Sequence, residues 1–231
     1  MSIYQNPNLR NRRILGYEDV AAVPPGTRDE PLVDVREYSP DIVAEYAKPD
    51  MKHLTGETIY VRDMLAEKLA KVNRELGRSS MRLLVTYGYR HPEVQRAYFE
   101  VRREEIAQYN PLMIGEELDA YTHNFVAIPS LGGHPAAAAV DLTILDRDNI
   151  PLDMGTGIAD YTDPEKIRTD HPGLTYRQIG NRAILHDAMV DENFAPFYGE
   201  WWHFSYGDRE WGAFYDTPAL YDQVDFRPGA Q

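Results

Sequence analysis

The sequence has 231 residues, and its 37 acidic and 24 basic side chains give a net charge of −13 with neutral histidine, which disfavours a nucleic-acid partner because phosphate backbones are also negative. A hydrophobic fraction of 43% with a charged fraction of 26% is typical of a folded globular chain and excludes a disordered one. Cysteine is absent, so disulfides, thiol nucleophiles and sulfur-based zinc sites are excluded, and a metal ion could be held only by histidine, aspartate or glutamate.

Hydrophobic periodicity and the positions of glycine and proline predict the elements of secondary structure. In chain order these are an edge strand over 32–38, a helix over about 57–77, a strand over 81–87, a helix from Pro92 to about Gln108, a strand over 138–144, a helix over about 175–192 and a strand over 202–206. Residues 110–137 and 146–172 are predicted as loops, and the second is long and polar enough to line a functional site. We therefore expect an α+β fold, with a small central antiparallel sheet flanked by helices and long loops around a cleft.

The two ends of the chain carry weaker signals. Prolines and a glycine with little periodicity predict an irregular N-terminal arm over residues 1–31, followed by a single domain over 32–231. The first twenty residues lack the apolar core of a secretory signal, and no run approaches the roughly 18 apolar residues of a membrane helix. We therefore expect a cytoplasmic protein without a membrane partner. The sequence does not indicate an oligomeric state.

The first cluster that could carry chemistry begins at a glycine turn. His134 leaves that turn, and Asp141 follows seven residues later on a predicted strand. Seven extended residues would span about 23 Å, far more than two ligand bonds of about 2 Å each, so a shared metal ion requires the chain to fold back between them. Gly132, Gly133 and Pro135 supply such a bend.

The second cluster lies at the start of the last predicted strand and contains Glu200 and His203. Side chains alternate along a strand, so these two converge only if Glu200 lies in the loop before it, which Gly199 permits. His134, Asp141 and His203 are a chemically suitable set of three ligands for a catalytic metal ion with an open position. Glu200 would then lie outside the ligand set and be available as a catalytic carboxylate.

A carboxylate beside a metal-activated water suits the hydrolysis of an amide. The metal lowers the pKa of the water, and the carboxylate takes its proton and passes it to the leaving amine. Arg90, at a strand-to-helix corner, could stabilise the oxyanion. Spacing alone leaves other readings open: a histidine near a strand is usually a hydrogen-bonded structural residue, Asp141 could face water, and Arg90 could be a surface residue.

Together, these segments resemble the zinc-dependent D-alanyl-D-alanine dipeptidases, which are related to the D,D-carboxypeptidases of cell-wall metabolism. The matching segments, in the order of that family, are Gly88-Tyr89-Arg90-His91-Pro92, Gly132-Gly133-His134 through Asp141-Leu142-Thr143, and Glu200-Trp201-Trp202-His203. The chain differs where the family has a serine that is associated with the substrate's carboxylate, which is Gly132 here. It also has alanines in place of a glycine between the histidine and the aspartate, and His91 separates Arg90 from Pro92.

The resemblance implies a zinc metallopeptidase that cleaves D-Ala-D-Ala, or a similar short D-amino-acid dipeptide, with one Zn²⁺ per chain in the cleft. By that resemblance His134, Asp141 and His203 would be the zinc ligands. Glu200 would be the general base and acid, and Arg90 would stabilise the transition state.

Other parts of the resemblance are less specific. Asp160 lies one residue out of step with the aspartate that receives the substrate's ammonium group in the family. Two alternatives to the dipeptidase are a D,D- or L,D-carboxypeptidase acting on muropeptides, and a catalytically silent, zinc-containing module that binds peptidoglycan. The presence of Glu200 argues against the silent module, because a structural zinc prefers four closed protein ligands and needs no further carboxylate.

Overall fold

A mixed sheet of five strands forms the centre of the computed structural model, which describes residues 6–229. The strands of the chain are β1 (Leu32–Asp34), β2 (Val43–Ala44), β3 (Tyr60–Arg62), β4 (Arg82–Tyr87), β5 (Ala139–Leu145), β6 (Ala195–Pro196) and β7 (His203–Ser205). The helices are α1 (Pro7–Asn11), α2 (Tyr17–Ala21), α3 (Lys52–Thr55), α4 (Asp63–Gly77), α5 (Pro92–Tyr109), α6 (Gly115–His123), α7 (Tyr176–Asp191) and α8 (Arg209–Tyr215).

The strand order in the central sheet is β2-β4-β5-β7-β6. Strand β2 runs parallel to β4, and the other three pairings are antiparallel. Strands β1 and β3 form a separate antiparallel pair. The predicted α+β class, with a small and largely antiparallel sheet flanked by helices, is therefore confirmed.

Burial follows the predicted pattern in helix α4 and extends over both faces of strand β5. The helical stripe of α4, which is formed by Leu65, Leu69, Val72 and Leu76, is at most 4% exposed at every position. Strand β5 is buried along its whole length, including both of its faces. A polar side chain on this strand therefore needs a partner, because unpaired burial is costly.

Two predicted boundaries are wrong for local reasons. The helix predicted from residue 57 begins at Asp63, because residues 60–62 pair with β1 instead. The edge strand predicted to reach residue 38 ends at Asp34, whose carboxylate accepts a hydrogen bond from the backbone N–H of Arg36 at 2.9 Å. This side-chain turn competes with extension of the strand.

The regions predicted as irregular contain short helices. Helix α6 lies within the predicted loop 110–137, and α1 and α2 lie within residues 1–31. Helices α1 and α2 pack on α8, and the Asn6 amide donates a hydrogen bond to the carbonyl of Phe214 at 2.8 Å. Residues 1–5 are outside the described part of the chain, and the division into an arm and a domain at residue 31 stays a prediction.

None of the helices within residues 6–229 is long and apolar enough to cross a membrane.

Candidate active site

The register of the central sheet brings two of the predicted ligands together. Asp141 on β5 and His203 on β7 are direct cross-strand partners, and His203 Nδ1 lies 2.9 Å from Asp141 Oδ1. An irregularity between Val85 and Tyr87 shifts the pairing of β4, so that Tyr87 also lies opposite Asp141. Bulges of this kind re-aim side chains next to active sites.

The loop before β5 turns back on itself and delivers His134 to the same place. Its backbone is closed by hydrogen bonds from the N–H groups of Ala136 and Ala138 to the carbonyl of Gly133. No side chain fits at Gly133, because a Cβ there would lie 2.0 Å from Asp208 Oδ2. Ala137 has a φ of +56°, a left-handed conformation that favours glycine. The bend that the spacing of His134 and Asp141 requires is therefore present.

His134 is held with one ring nitrogen aimed at the cluster. Its Nδ1 donates to the carbonyl oxygen of Gly88 at 2.8 Å, and its Nε2 lies 3.5 Å from Asp141 Oδ2. His134, Asp141 and His203 each offer a ligand atom, and these atoms lie within 4.8 Å of one another. Two imidazoles and one carboxylate at this spacing fit a divalent metal ion with a further position open.

The pKa shifts of Asp141 and His134 favour the forms of these two side chains that bind a cation. Burial would raise the pKa of Asp141, but the neighbouring His134 and His203 hold it well below its usual range. Burial lowers the pKa of His134, which favours the neutral ring, and with Nδ1 donating to Gly88 the lone pair of that ring lies on Nε2. A carboxylate and a neutral imidazole are the forms that bind metal ions.

Two buried carboxylates behind His203 were not predicted from the sequence. Glu210 Oε2 lies 3.9 Å from His203 Nε2, and Asp208 caps α8 by accepting the N–H of Trp211 at 2.7 Å. Burial raises the pKa of both carboxyl groups. A carboxylate behind a ligating imidazole fixes its orientation and tautomer in many metal sites, and Glu210 is placed for that role.

Glu200 lies in the turn before β7, as the alternation of side chains requires. Its backbone N–H donates to the carbonyl of Phe197 at 3.0 Å, and its own carbonyl accepts from the N–H of His203. Burial raises the pKa of Glu200, the charge of Asp141 adds to this, and His203 opposes it. Glu200 is therefore a carboxylate near the cluster whose proton affinity is higher than usual.

Arg90 follows β4 and lies beside the cluster without a carboxylate partner. Its guanidinium carbon is 4.5 Å from the centroid of the Tyr87 ring, and its Nη1 donates to Gln95 Oε1 at 2.8 Å. Among residues 6–229, no Asp or Glu oxygen lies within 4 Å of the guanidinium nitrogens. Tyr87 in turn meets the ring of His134 at 5.3 Å between centroids. The charge of Arg90 is thus available at the cluster.

The tyrosines around Arg90 are held by one carboxylate that the sequence did not reveal. Asp50 Oδ2 accepts hydrogen bonds from the hydroxyls of Tyr87 at 2.8 Å and Tyr98 at 2.7 Å. The Tyr98 ring centroid is 5.3 Å from the guanidinium carbon of Arg90. Asp50 therefore fixes both aromatic rings that flank the guanidinium.

Asp160 is turned towards its own loop. Its carboxylate accepts hydrogen bonds from the backbone N–H and the hydroxyl of Thr162, at 3.2 and 2.7 Å. The next residue, Tyr161, faces the cluster instead: its ring lies edge-on to Trp202 at 6.0 Å, and burial together with the nearby charge of Glu200 raises the pKa of its hydroxyl. The role of Asp160 towards an ammonium group stays a prediction.

The C-terminal segment ties the two motif loops together. The N–H of Val224 donates to the carbonyl of Pro135 at 2.9 Å, and the hydroxyl of Tyr89 donates to the carbonyl of Val224 at 2.8 Å. His91 is 1% exposed, and its Nε2 lies 2.9 Å from Asp225 Oδ1. The histidine that separates Arg90 from Pro92 thus anchors this segment.

Residues 31–225 match the sequence profile of the peptidase family M15, which is described as D-Ala-D-Ala dipeptidase. The chain belongs to this family. As a member of the D-Ala-D-Ala dipeptidase family it is a metallopeptidase, and the cluster of two histidines and one aspartate is its candidate metal site.

Named proteins show the same relationship. The chain is similar to the D-alanyl-D-alanine dipeptidase of Escherichia coli K12, with 27% identity over 208 residues that cover 87% of this chain and 95% of the relative. It is 32% identical over 87 residues to a D-alanyl-D-alanine dipeptidase of Synechocystis, covering 34% of this chain and 35% of that relative.

Solved structures that overlap with the chain include the LdcB LD-carboxypeptidase, with a TM-score of 0.47, 17% identity, and coverage of 84% of this chain and 78% of the other. VanYB in complex with D-alanine-D-alanine overlaps with a TM-score of 0.44 and 14% identity, covering 90% and 93% of the two chains.

Proposed function

We propose that the protein hydrolyses D-alanyl-D-alanine, or a similar short dipeptide of D-amino acids, with one Zn²⁺ held by His134, Asp141 and His203. The observation that supports this most directly is the position of Glu200 beside a set of three nitrogen and oxygen donors. Three protein ligands leave a position for water, and a fourth carboxylate outside the set is the group that hydrolysis needs. A purely structural site has no use for it.

Each residue then has one task. When bound, zinc lowers the pKa of water and polarises a carbonyl group. Glu200 takes a proton from the attacking water and delivers it to the leaving amine, and burial, which raises the pKa of Glu200, makes it a stronger base for the first of these transfers. Arg90 holds the oxygen that becomes negative at the transition state, a role commonly worth about 3 kcal/mol of barrier. Glu210 keeps the ring of His203 in place.

A panel of dipeptides tests this proposal. Purified protein with zinc should hydrolyse D-Ala-D-Ala and leave L-Ala-L-Ala intact; a chelator should abolish the activity, and added zinc should restore it. Hydrolysis of longer muropeptides without any of D-Ala-D-Ala would favour the carboxypeptidase alternative. Chelator-resistant hydrolysis would contradict the metal-dependent mechanism. The cytoplasmic location stays a prediction, which fractionation of cells can check.

Zinc uptake should release about one proton per chain at pH 8. Burial alone would lower the pKa of His203, but its hydrogen bond with Asp141 and the charges of Glu210 and Asp141 raise it to about 10 in the metal-free protein. A ligand nitrogen must lose this proton before it binds zinc. Calorimetry in two buffers of different ionisation enthalpy measures the proton number, and a value near zero would contradict the prediction.

The same shift predicts a change in the stability of the metal-free protein with pH. The pKa of His203 is higher in the folded state than its ordinary value of 6.5, so its contribution is complete below pH 6.5 and is lost as the pH rises towards 10. The denaturant midpoint should therefore fall over this window. In His203→Ala, the part of the fall in denaturant midpoint that comes from His203 should be absent.

A further inference from the structure

On one side of the cluster formed by His134, Asp141 and His203, aromatic side chains and cations contact one another in series. From His134 the contacts lead to Tyr87, at 5.3 Å between ring centroids, and then to Arg90, whose guanidinium carbon lies 4.5 Å from the Tyr87 centroid. Arg90 also lies 5.3 Å from the centroid of Tyr98. This series of contacts ends at Tyr98.

Lys48 connects this series of contacts to the opposite side of the cluster. Its ammonium nitrogen lies 5.7 Å from the centroid of Tyr98 and 5.8 Å from that of Tyr161. The Tyr161 ring lies edge-on to the ring of Trp202, the residue before His203, at 6.0 Å between centroids. Because the rings of His134 and His203 lie 5.0 Å apart, these contacts form a closed ring that includes both histidines of the cluster, and Lys48 lies in this ring between two tyrosines.

The ammonium group of Lys48 has no anionic partner in the ring. It forms no ion pair within 4 Å in the described part of the chain, and its side chain is half-buried. The faces of two aromatic rings attract a cation but do not neutralise its charge. By contrast, the ammonium group of Lys52, four residues later, is exposed and forms an ion pair with Glu57 at 2.8 Å.

The other groups of the ring determine what Lys48 can bind. Beside the ring, burial raises the pKa of Glu210 and the charges of Glu200 and Asp141 add to this, so the side next to His203 disfavours a further carboxylate. Arg90 and Lys48 are the cations that the ring contacts identify among residues 6–229. Arg90 adjoins the ligand histidine through Tyr87 and is engaged with the reacting oxygen, which leaves Lys48 for a second anion.

We propose that Lys48 receives the free carboxylate at the C-terminal end of the peptide substrate, an inference that rests on the proposed function. A lysine ammonium carries three donors on a flexible stem and acts as a point charge, which suits a carboxylate that approaches from solvent. In a dipeptide this carboxylate belongs to the residue whose amine leaves. Lys48 thus places the peptide bond next to the free C-terminus at Glu200, so that this bond is the one that is cleaved.

The test compares two substrates in two forms of the enzyme. The substrates are D-Ala-D-Ala and its C-terminal amide, which lacks the charge, and the variant is Lys48→Met, which keeps most of the stem. Wild-type protein should prefer the acid in kcat/KM by about 10- to 100-fold, as expected for one interaction with a charged group. Lys48→Met should lose this preference by weakening the acid alone, mainly through KM, while Lys48→Arg should retain part of it.

Lys52→Met is the matched control and should change neither substrate. An equal effect of Lys48→Met on the acid and the amide would indicate a merely structural role and overturn the inference. Binding to the zinc-loaded protein, measured by calorimetry with the same two peptides, separates this inference from the proposed function. Binding of the acid that depends on Lys48 without hydrolysis would contradict only the proposed function. Equal hydrolysis of acid and amide by the wild type, or no binding of the acid, would overturn the role of Lys48.

Discussion

Glu200→Gln should lower kcat for D-Ala-D-Ala by about three orders of magnitude, because general acid–base catalysis typically contributes about 10²- to 10⁴-fold. The amide has the shape of the carboxylate but cannot accept the proton of the attacking water. Glu200 is not in the ligand set, so zinc content measured by mass spectrometry should remain at one ion per chain. Steady-state kinetics and metal analysis on the same preparation check both parts.

Two comparison variants sharpen this experiment. Glu165→Gln removes an exposed carboxylate that pairs with Arg168 at 3.2 Å and should leave turnover unchanged. Arg90→Ala should keep zinc and depress kcat more than it raises KM, since the interaction is made in the transition state. Unchanged turnover in Glu200→Gln would remove this residue from the mechanism, and a zinc-free Glu200→Gln protein would show that it is a ligand.

His203→Ala should lose zinc and, with it, the stabilisation that zinc gives to the folded state. The variant removes one of three ligands and leaves Asp141 Oδ1 without its partner at 2.9 Å. Binding to the folded state alone stabilises it by about 2.7 kcal/mol at a ligand concentration of 100 Kd, so wild-type protein should show a clear rise in melting temperature with zinc. The variant should show none.

His53→Ala is the control for this measurement, because His53 is exposed on α3 and outside the cluster. It should keep both the zinc and the thermal shift. If His203→Ala retains stoichiometric zinc, the proposed ligand set is wrong. If it loses zinc while hydrolysis persists, the proposed mechanism is wrong.

The sequence was most informative where spacing and strand periodicity constrain a side chain. The strand patterns around Asp141 and after Glu200 were each predicted correctly, and in the structure they place Asp141 opposite His203, but spacing alone did not predict that the two clusters meet. The need for a bend between His134 and Asp141 followed from distance alone. Family resemblance then supplied the order and the roles.

The remaining parts of the site depend on tertiary contacts that no local pattern encodes. The polar loop 146–172 was expected near a functional site, but the residue that faces Glu200 is Tyr161 rather than its neighbour Asp160. Lys48 and Asp50 precede β4 by more than thirty residues and contact the site through the rings of Tyr98, Tyr161 and Tyr87. Their distance along the chain hides them from any reading of motifs.

The hydrogen bond from Val224 to the carbonyl of Pro135 bears on how the protein is made. The loop that carries His134 is braced by a segment that is translated some ninety residues after the loop itself. Until residue 224 has been synthesised this brace cannot form, although β4 and β5 are already complete. Chains that stop short of residue 224 should therefore capture the cation poorly.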